Sequence, residues 1–319
     1  MKIVITGALG HIGSRLIRTL PERFPGATFV LVDNMSAQRY CSLFDLPTGV
    51  DYRFVEADVL TDDPADWLEG ADVCVHLAAI TDATSSFDRP EEVEAVNLTG
   101  AERVARACAA NDVAMLFLST TSVYGPQGDE VDEECDESEL APQSPYAQAK
   151  LRAERRLAKI AEEDGLRYVI FRFGTIFGVS PGMRFHTAVN KFCWLASLGK
   201  PLTVWRTAYE QRRPYLDLED GVRAIAFAIE GDLFDNSVYN VVTANLTVRD
   251  IVEMIRTSIP DTEVGYVDTE IMNQHSYSVS AVRISGRGFY PQGDPRAGIH
   301  RTLELLKGVR TTSTQKAII

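Results

Sequence analysis

The chain has 319 residues, enough for one large domain or two modest ones. Hydrophobic residues make up 45% and charged residues 24%, a balance that excludes a disordered or fibrous chain. The formal net charge of -13 opposes nonspecific binding to nucleic acid or to an anionic membrane, while a local basic pocket can still take an anionic small ligand.

The five cysteines are scattered and lack metal-like spacing, so reduced thiols, no metal site and a cytoplasmic location are expected. No signal peptide opens the chain, and no apolar run is long enough to span a bilayer. Lys2 to Thr6 is a short apolar run and reads as a buried strand. Gly7-Ala8-Leu9-Gly10-His11-Ile12-Gly13 follows it, and Ser14 to Leu20 then reads as helix. Strand, glycine turn and helix aim backbone N–H groups at a helix N-terminus, where a pyrophosphate can sit. Gly7 would make the tight turn, Gly10 would let a dinucleotide approach, and Gly13 would let helix and strand pack closely. The spacing is one residue wider than the common G-x-G-x-x-G, and a plain glycine-rich turn is the alternative.

Thr28 to Val32 is a second buried strand and ends at Asp33. An acid about 20 residues after the glycines accepts the ribose hydroxyls of NAD and repels a 2′-phosphate. Asn34 and Met35 follow it and supply no adjacent cation, so NAD is expected over NADP; Arg39 is the more distant candidate. Tyr52 to Glu56 reads as the third strand, with Asp58 and Val59 placed to meet an adenine, although a loop acid would look the same. Asp72 to Leu77 is the fourth strand, and the small Ala78 and Ala79 after it leave room for a cofactor against the backbone. Glu92 to Ala110 has helical periodicity and contains Asn97 and Gly100; Ala114 to Ser119 is a fifth strand.

Thr120 to Gly125 (Thr-Thr-Ser-Val-Tyr-Gly) places hydroxyls at the carboxyl end of that strand, where they can bond a substrate oxygen or simply form a turn. Asp129 to Glu139 is strongly acidic and reads as a solvated loop. Pro145 starts the next helix, as proline does at a first helical position. On it, Tyr146 and Lys150 stand four residues apart and share a face. A phenol titrates near ~10, and a neighbouring ammonium favours its ionised form. Alone, the pair also fits an ordinary exposed helix surface.

Arg167 to Phe173 is the sixth strand, and the strand–helix alternation predicts an α/β fold built on a Rossmann-type, doubly wound parallel sheet. After Gly174 the texture changes. Gly178 to Met183 is turn-rich, Phe185 to Leu198 reads as helix, and Leu202 to Trp205 is extended. Val248 to Ile259 and Ala297 to Leu306 read as helices of a smaller α+β substrate-binding domain on the C-terminal side. The expected division is 1–174 with a returning segment at about 214–242 for the nucleotide, 175–213 and 243–307 for the substrate, and a loose tail at 308–319.

Together these residues resemble the extended short-chain dehydrogenase/reductase family, specifically its NAD-dependent nucleotide-sugar epimerases and dehydratases. The resemblance runs from Gly7 to about Leu306. It rests on the three glycines, Asp33, Asp58-Val59, His76 to Ala79, Asn97, Thr120 to Gly125, Tyr146-x-x-x-Lys150, Arg172 to Gly178, and Arg213-x-Tyr215. Each motif is weak alone; in this order and spacing the set is specific.

The resemblance implies that Tyr146 is the general base and acid, that Lys150 lowers its pKa and holds the nicotinamide ribose, and that Thr120 fills the catalytic hydroxyl position. Gly7, Gly10, His11, Ile12, Gly13, Asp33, Asn34, Asp58, Val59, Leu77, Ala78, Ala79, Asn97, Tyr146, Lys150 and Phe173 would bind NAD. Thr84, Thr121, Thr175, Arg184 and Arg213 would meet a nucleotide-diphosphate sugar, Arg213 at the diphosphate. In relatives the two long helices at 92–110 and 145–163 form a four-helix dimer interface, so a homodimer is expected.

The departures bear on the reaction. The 4,6-dehydratases of the family carry Asp-Glu after the catalytic threonine, and Thr121 and Ser122 stand there instead. That pattern looks like a 4-epimerase. Thr175 replaces a common asparagine, Pro214 replaces the Asp that often follows the arginine, and 180–186 maps onto no known sugar specificity. A dehydratase or ketoreductase is the enzyme alternative, and a non-catalytic NAD-sensing protein is the alternative of another class.

Overall fold

A computed structural model describes residues 1–125, 130–268 and 276–308. Seven strands form the main sheet: β1 (Lys2–Thr6), β2 (Thr28–Asp33), β3 (Asp51–Glu56), β4 (Val73–His76), β5 (Ala114–Thr120), β6 (Tyr168–Phe173) and β7 (Ser237–Val241). Their order is β3-β2-β1-β4-β5-β6-β7, and every neighbouring pair is parallel. The chain winds outward from β1 to β3, crosses back to β4 and winds outward again. The strand order therefore reverses between β1 and β4, which opens a crevice at their carboxyl ends. This is the doubly wound α/β fold that the alternation predicted.

Helices cover both faces, so β4, β5 and β6 are buried along their whole length. On one face the helices His11–Arg23 and Leu218–Glu230 pack Leu16, Ile17, Val222 and Ile225 against the sheet. On the other, Ala101–Ala110 and Pro145–Asp164 contribute Val104, Ala105, Leu157 and Ile160. A smaller α+β unit follows. Strands Thr175–Phe177, Arg212–Asp217 and Ala244–Thr247 form one sheet, and Leu202–Trp205 pairs with Val264–Val267. Helices Ala188–Ser197, Val248–Ser258 and Pro295–Leu305 close a second core around Phe177, Phe192, Tyr215, Ile251 and Ile299.

Four details differ from the sequence reading. The 92–110 helix is interrupted by a wider π-type turn at Ala95–Gly100, because the Asn97 amide leaves the helix to clamp Ile80. The helix read from Phe185 begins at Ala188, because Arg184 and its neighbours run across the cleft and the Asn190 amide fastens the Arg184 carbonyl at 2.9 Å. The described part of the acidic segment is not all solvated. Glu130–Val131 pairs with Ser278–Val279, and Val131 joins a buried cluster with Val123, Tyr124 and Tyr277. The strand Arg212–Asp217 belongs to the small sheet, so the chain rejoins the main layer only with the helix from Leu218. The tail read from Gly308 lies, beyond that residue, outside the described residues.

Candidate active site

At the end of β1 the chain turns through Gly7, at φ +64, in the left-handed region that favours glycine. A Cβ there would stand 2.7 Å from the Ala78 backbone nitrogen, so Ala78 is the floor of the turn. A Cβ on Gly13 would stand 2.5 Å from the Ala8 carbonyl oxygen, which is how helix and loop come so close. The Gly7 carbonyl accepts from Gly10 N at 3.0 Å, and the helix starts at His11 with its free N–H groups facing the crevice. At the end of β2 the Asp33 carboxylate accepts from Leu9 N at 3.1 Å and from Met35 N at 3.0 Å. These contacts pin it beside the glycine turn with lone pairs left for a ribose. A cradle that any Cβ would fill, a helix N-terminus and an acid at the second strand fit a dinucleotide.

The segment after the small strand Thr175–Phe177 packs straight onto this loop. His11 Nε2 bonds the Gly178 carbonyl at 2.8 Å, Ser180 Oγ donates to the His11 carbonyl at 2.8 Å, and Gly182 N donates to Ser14 Oγ at 2.9 Å. Burial pushes the His11 imidazole down to about 4, against the raising effect of its Gly178 bond, with Arg184 and Arg39 adding repulsion. Arg39 is placed close in: its Nη1 lies 3.9 Å from where a Gly10 Cβ would be, and Asp33 attracts it.

A cleft of about 630 Å³ runs from this loop to Trp205 and Val267. Tyr146, Lys150 and Thr120 meet in its wall. Ser144 caps the helix by accepting from Ala147 N at 3.2 Å, and Pro145 follows at the first turn, so Tyr146 enters the cleft from a fixed helix start. Thr120, whose hydroxyl accepts from Ser122 N at 3.1 Å, is the polar side chain that acts on the Tyr146 phenol. Burial raises the phenol to about 12, while Thr120 and the Arg184 charge pull it down. The cation that lowers the phenol's pKa is thus Arg184, and Lys150 does not contribute. The reason is geometric: Lys150 Nζ turns inward to donate to the Leu118 carbonyl at 2.7 Å and sits 4.5 Å from the Phe117 ring centroid.

Arg184 crosses the cleft to donate to Thr81 Oγ1. Burial lowers it to about 10, with Arg39 nearby as a second cation. At the far end Arg213 lies over the Tyr277 ring, 5.4 Å from its centroid, and Thr84, Thr175, His186 and Lys191 complete the wall.

Of the remaining sequence-predicted residues, Gly7, Gly10, His11, Ile12, Gly13, Leu77, Ala79 and Phe173 all line the cleft. Others do not reach it. Asn97 is buried with its amide committed to Ile80, and Val59 is buried. The Asn34 amide donates to Asp58 at 3.0 Å, and Asp58 also caps Leu60 N at 2.8 Å. Thr121 turns away, its hydroxyl donating to the Phe173 carbonyl at 3.3 Å. The sequence reading missed Tyr277, which lines the cleft and donates from its hydroxyl to the Thr121 carbonyl at 3.3 Å, and Asp82, whose carboxylate caps Thr84 N and Ser85 N. Asp82 sits in a Thr-Asp-Ala-Thr-Ser-Ser run after β4, a turn signal that could have flagged it.

The glycine cradle, the acid at β2 and a Tyr–Lys pair beside a strand-end threonine define a dinucleotide-dependent enzyme acting on an alcohol or carbonyl carbon. The chain belongs to the NAD dependent epimerase/dehydratase family, whose model matches residues 3–241. The NAD dependence of that family agrees with the glycine cradle and with Asp33 at the end of β2. The chain is 32% identical over 233 residues to the uncharacterized UDP-glucose epimerase YtcB of Bacillus subtilis, covering 70% of this chain and 71% of that one. It is 27% identical over 321 residues to the trifunctional UDP-glucose 4,6-dehydratase, 3,5-epimerase and reductase RHM3 of Arabidopsis thaliana. That match takes in 95% of this chain but 46% of the plant protein, so the chain spans about half the length of such relatives. Among solved structures, the UDP-N-acetylglucosamine 4-epimerase of Methanobrevibacter ruminantium superposes with a TM-score of 0.84 at 25% identity, covering 95% of this chain and 97% of that one.

Proposed function

We propose that the chain is a nucleotide-sugar 4-epimerase, in which bound NAD supplies reversible hydride acceptance at C4 and the sugar is reduced again on its opposite face. Tyr146 takes the proton of the C4 hydroxyl and gives it back. Thr120 hydrogen-bonds the same oxygen through both halves, and Lys150 holds the nicotinamide ribose. Arg213 grips the diphosphate with a charge-assisted contact, and Arg184, Thr84 and Thr175 meet the sugar end. The nucleotide is held by 1–174 with the segment returning at 218–242, and the sugar by 175–217 and 243–307.

The observation that carries this reading is the shortage of acids beside Thr120. Asp82 is the one carboxylate among the described residues that line the cleft, and two backbone N–H groups hold its Oδ1 in the turn at Thr84 and Ser85. Eliminating water needs an acid for the leaving hydroxyl and a base for C5; epimerisation needs neither. The test is turnover of a C4-epimeric pair of nucleotide sugars in deuterated water, read by NMR. The expected product carries no solvent deuterium at C4, C5 or C6. Deuterium at C5 or C6, or a product one hydroxyl short, would make the chain a dehydratase.

We also propose a homodimer through the helices at 90–110 and 145–164, in the cytoplasm, where five free cysteines fit a reducing compartment. That face carries ion pairs such as Arg152–Glu94 at 2.8 Å and Arg106–Asp164 at 2.5 Å, so its interface would be polar and screened by salt. Light scattering at micromolar concentration should give twice the 35.3 kDa chain mass at low salt and a lower mass in 1 M salt (a Debye length of about 3 Å). A monomer mass at low salt refutes the dimer. Among the described residues no helix is long and apolar enough to cross a membrane.

A further inference from the structure

Beside Thr120 and Lys150 lies a buried polar chain that the chemistry above does not use. Glu154 is one helical turn beyond Lys150 and 5% exposed. Arg172 grips it from β6, with Nη2 at 2.6 Å from Oε2 and Nε at 3.1 and 3.2 Å from the two oxygens. Ser119, the residue before Thr120, donates to Oε1. Arg172 Nη1 donates to the Tyr124 hydroxyl at 3.0 Å, and that hydroxyl donates to Asn240 Oδ1 at 2.9 Å. Ser119, Tyr124, Arg172 and Asn240 are all buried.

An ion pair this deep is a poor way to hold a core together. Desolvating two charges offsets most of their attraction, and apolar residues of the same volume often do as well or better. What this pair does have is access to two residues of the cleft. Through Ser119 it holds the end of β5 that presents Thr120. On its own helix Glu154 lies one turn from Lys150, which is 3% exposed. Burial pushes the Lys150 ammonium down to about 7, and Glu154 is the group that draws it back up. The other groups around Lys150 supply no negative charge. His76 on β4 is itself pushed down to about 3 by burial and is neutral. The Phe117 ring and the Leu118 carbonyl on β5 are uncharged, and Tyr146, one turn earlier, keeps its proton at neutral pH.

We propose that Glu154 is a positioning residue for the reaction: its carboxylate keeps Lys150 charged and, through Ser119, fixes the strand end that carries Thr120. The proposal rests on the reading of Lys150 and Thr120 as catalytic. Its test needs no turnover, so it stays readable if the 4-epimerase reading fails.

The test follows Lys150 by carbon-13 NMR in the full chain labelled at lysine Cε, with the resonance assigned by its absence in Lys150→Met. The wild-type midpoint is expected at about 7. In Glu154→Gln it should fall by about one pH unit or more, the effect of removing a nearby opposite charge. Glu154→Asp, which keeps the charge, should move it less. Because Glu154→Gln leaves Arg172 buried without its partner, the titration is repeated in Glu154→Gln combined with Arg172→Met, where a smaller fall is expected because the opposing positive charge of Arg172 is removed too. With a confirmed substrate, kcat of Glu154→Gln should drop about tenfold or more with KM little changed, the pattern of a lost transition-state interaction. A Lys150 midpoint that stays within 0.3 units (~0.4 kcal/mol) of wild type in both variants overturns the proposal.

Discussion

Tyr146→Phe is expected to lower kcat by about 100-fold or more while NAD and nucleotide-sugar binding change little. The size is that of a lost general acid–base. The phenol stands in the cleft wall. Thr120 is the side chain that acts on its hydroxyl, while Asp82 Oδ1 is held by two backbone N–H groups and Lys150 points at the Leu118 carbonyl. Burial holds the resting phenol near about 12, so at neutral pH it is protonated and ready to act as an acid. Acting as a base requires stabilising the phenolate, and Thr120 and the Arg184 charge are the two contributions present. Removing one oxygen deletes the proton carrier and leaves the glycine cradle, Asp33 and Arg213 untouched. Calorimetric titration with NAD and with a nucleotide sugar should give affinities within a few-fold of wild type. A variant that keeps a tenth or more of wild-type turnover would remove Tyr146 from the role. Full loss of turnover with intact NAD binding would also exclude a non-catalytic NAD sensor.

Much of the site is written locally and could be read from the chain. The apolar runs of β1, β2 and β5 are continuous because both faces of a parallel sheet are covered. The glycine spacing and the Tyr146–Lys150 interval are short-range patterns, fixed by one turn or one helix. What was not legible comes from contacts between distant segments. Arg184 reaches Thr81 across 103 positions, so its standing as the cation nearest in effect to Tyr146 depends on how the two lobes face each other. Sequence spacing pointed to Lys150 instead, since it shares a face with Tyr146. It could not show that the Leu118 carbonyl draws the ammonium inward. Thr121 reads like Thr120, yet β5 ends at Thr120 and a 3-10 turn begins at Thr121, so one hydroxyl lines the cleft and the next bonds the Phe173 carbonyl on β6. Asn97 reads as a polar residue on a helix near the cofactor, but the π-type turn commits it to Ile80.

The glycine loop gives the second large effect. Gly13→Ala should weaken NAD binding by about 100-fold or more, equivalent to ~2.7 kcal/mol, and cost about 1–3 kcal/mol of stability. The added methyl would lie 2.5 Å from the Ala8 carbonyl oxygen and 2.6 Å from the Gly7 carbonyl oxygen. Both are backbone atoms of the turn itself, so no flexible side chain can swing away. The turn must open, which strains the Gly10 N to Gly7 carbonyl bond at 3.0 Å and the Ser14 N to Gly10 carbonyl bond at 2.9 Å. Those bonds set the direction of the N–H groups at the helix start, so cofactor affinity and fold are damaged together. The other side offers no slack, because Gly182 is packed against the same loop: a Cβ on it would stand 2.5 Å from the Gly10 carbonyl oxygen. Gly286→Ala is the matched control. Its backbone has φ -63, and its Cβ would meet nothing closer than the Arg283 carbonyl oxygen at 3.4 Å, an ordinary contact. That variant should stay within about 0.5 kcal/mol of wild type. Thermal unfolding and NAD titration of the two variants side by side decide the matter. Wild-type NAD affinity in Gly13→Ala would mean that the loop can yield, and that close packing of helix on turn is not what holds the cofactor site in shape.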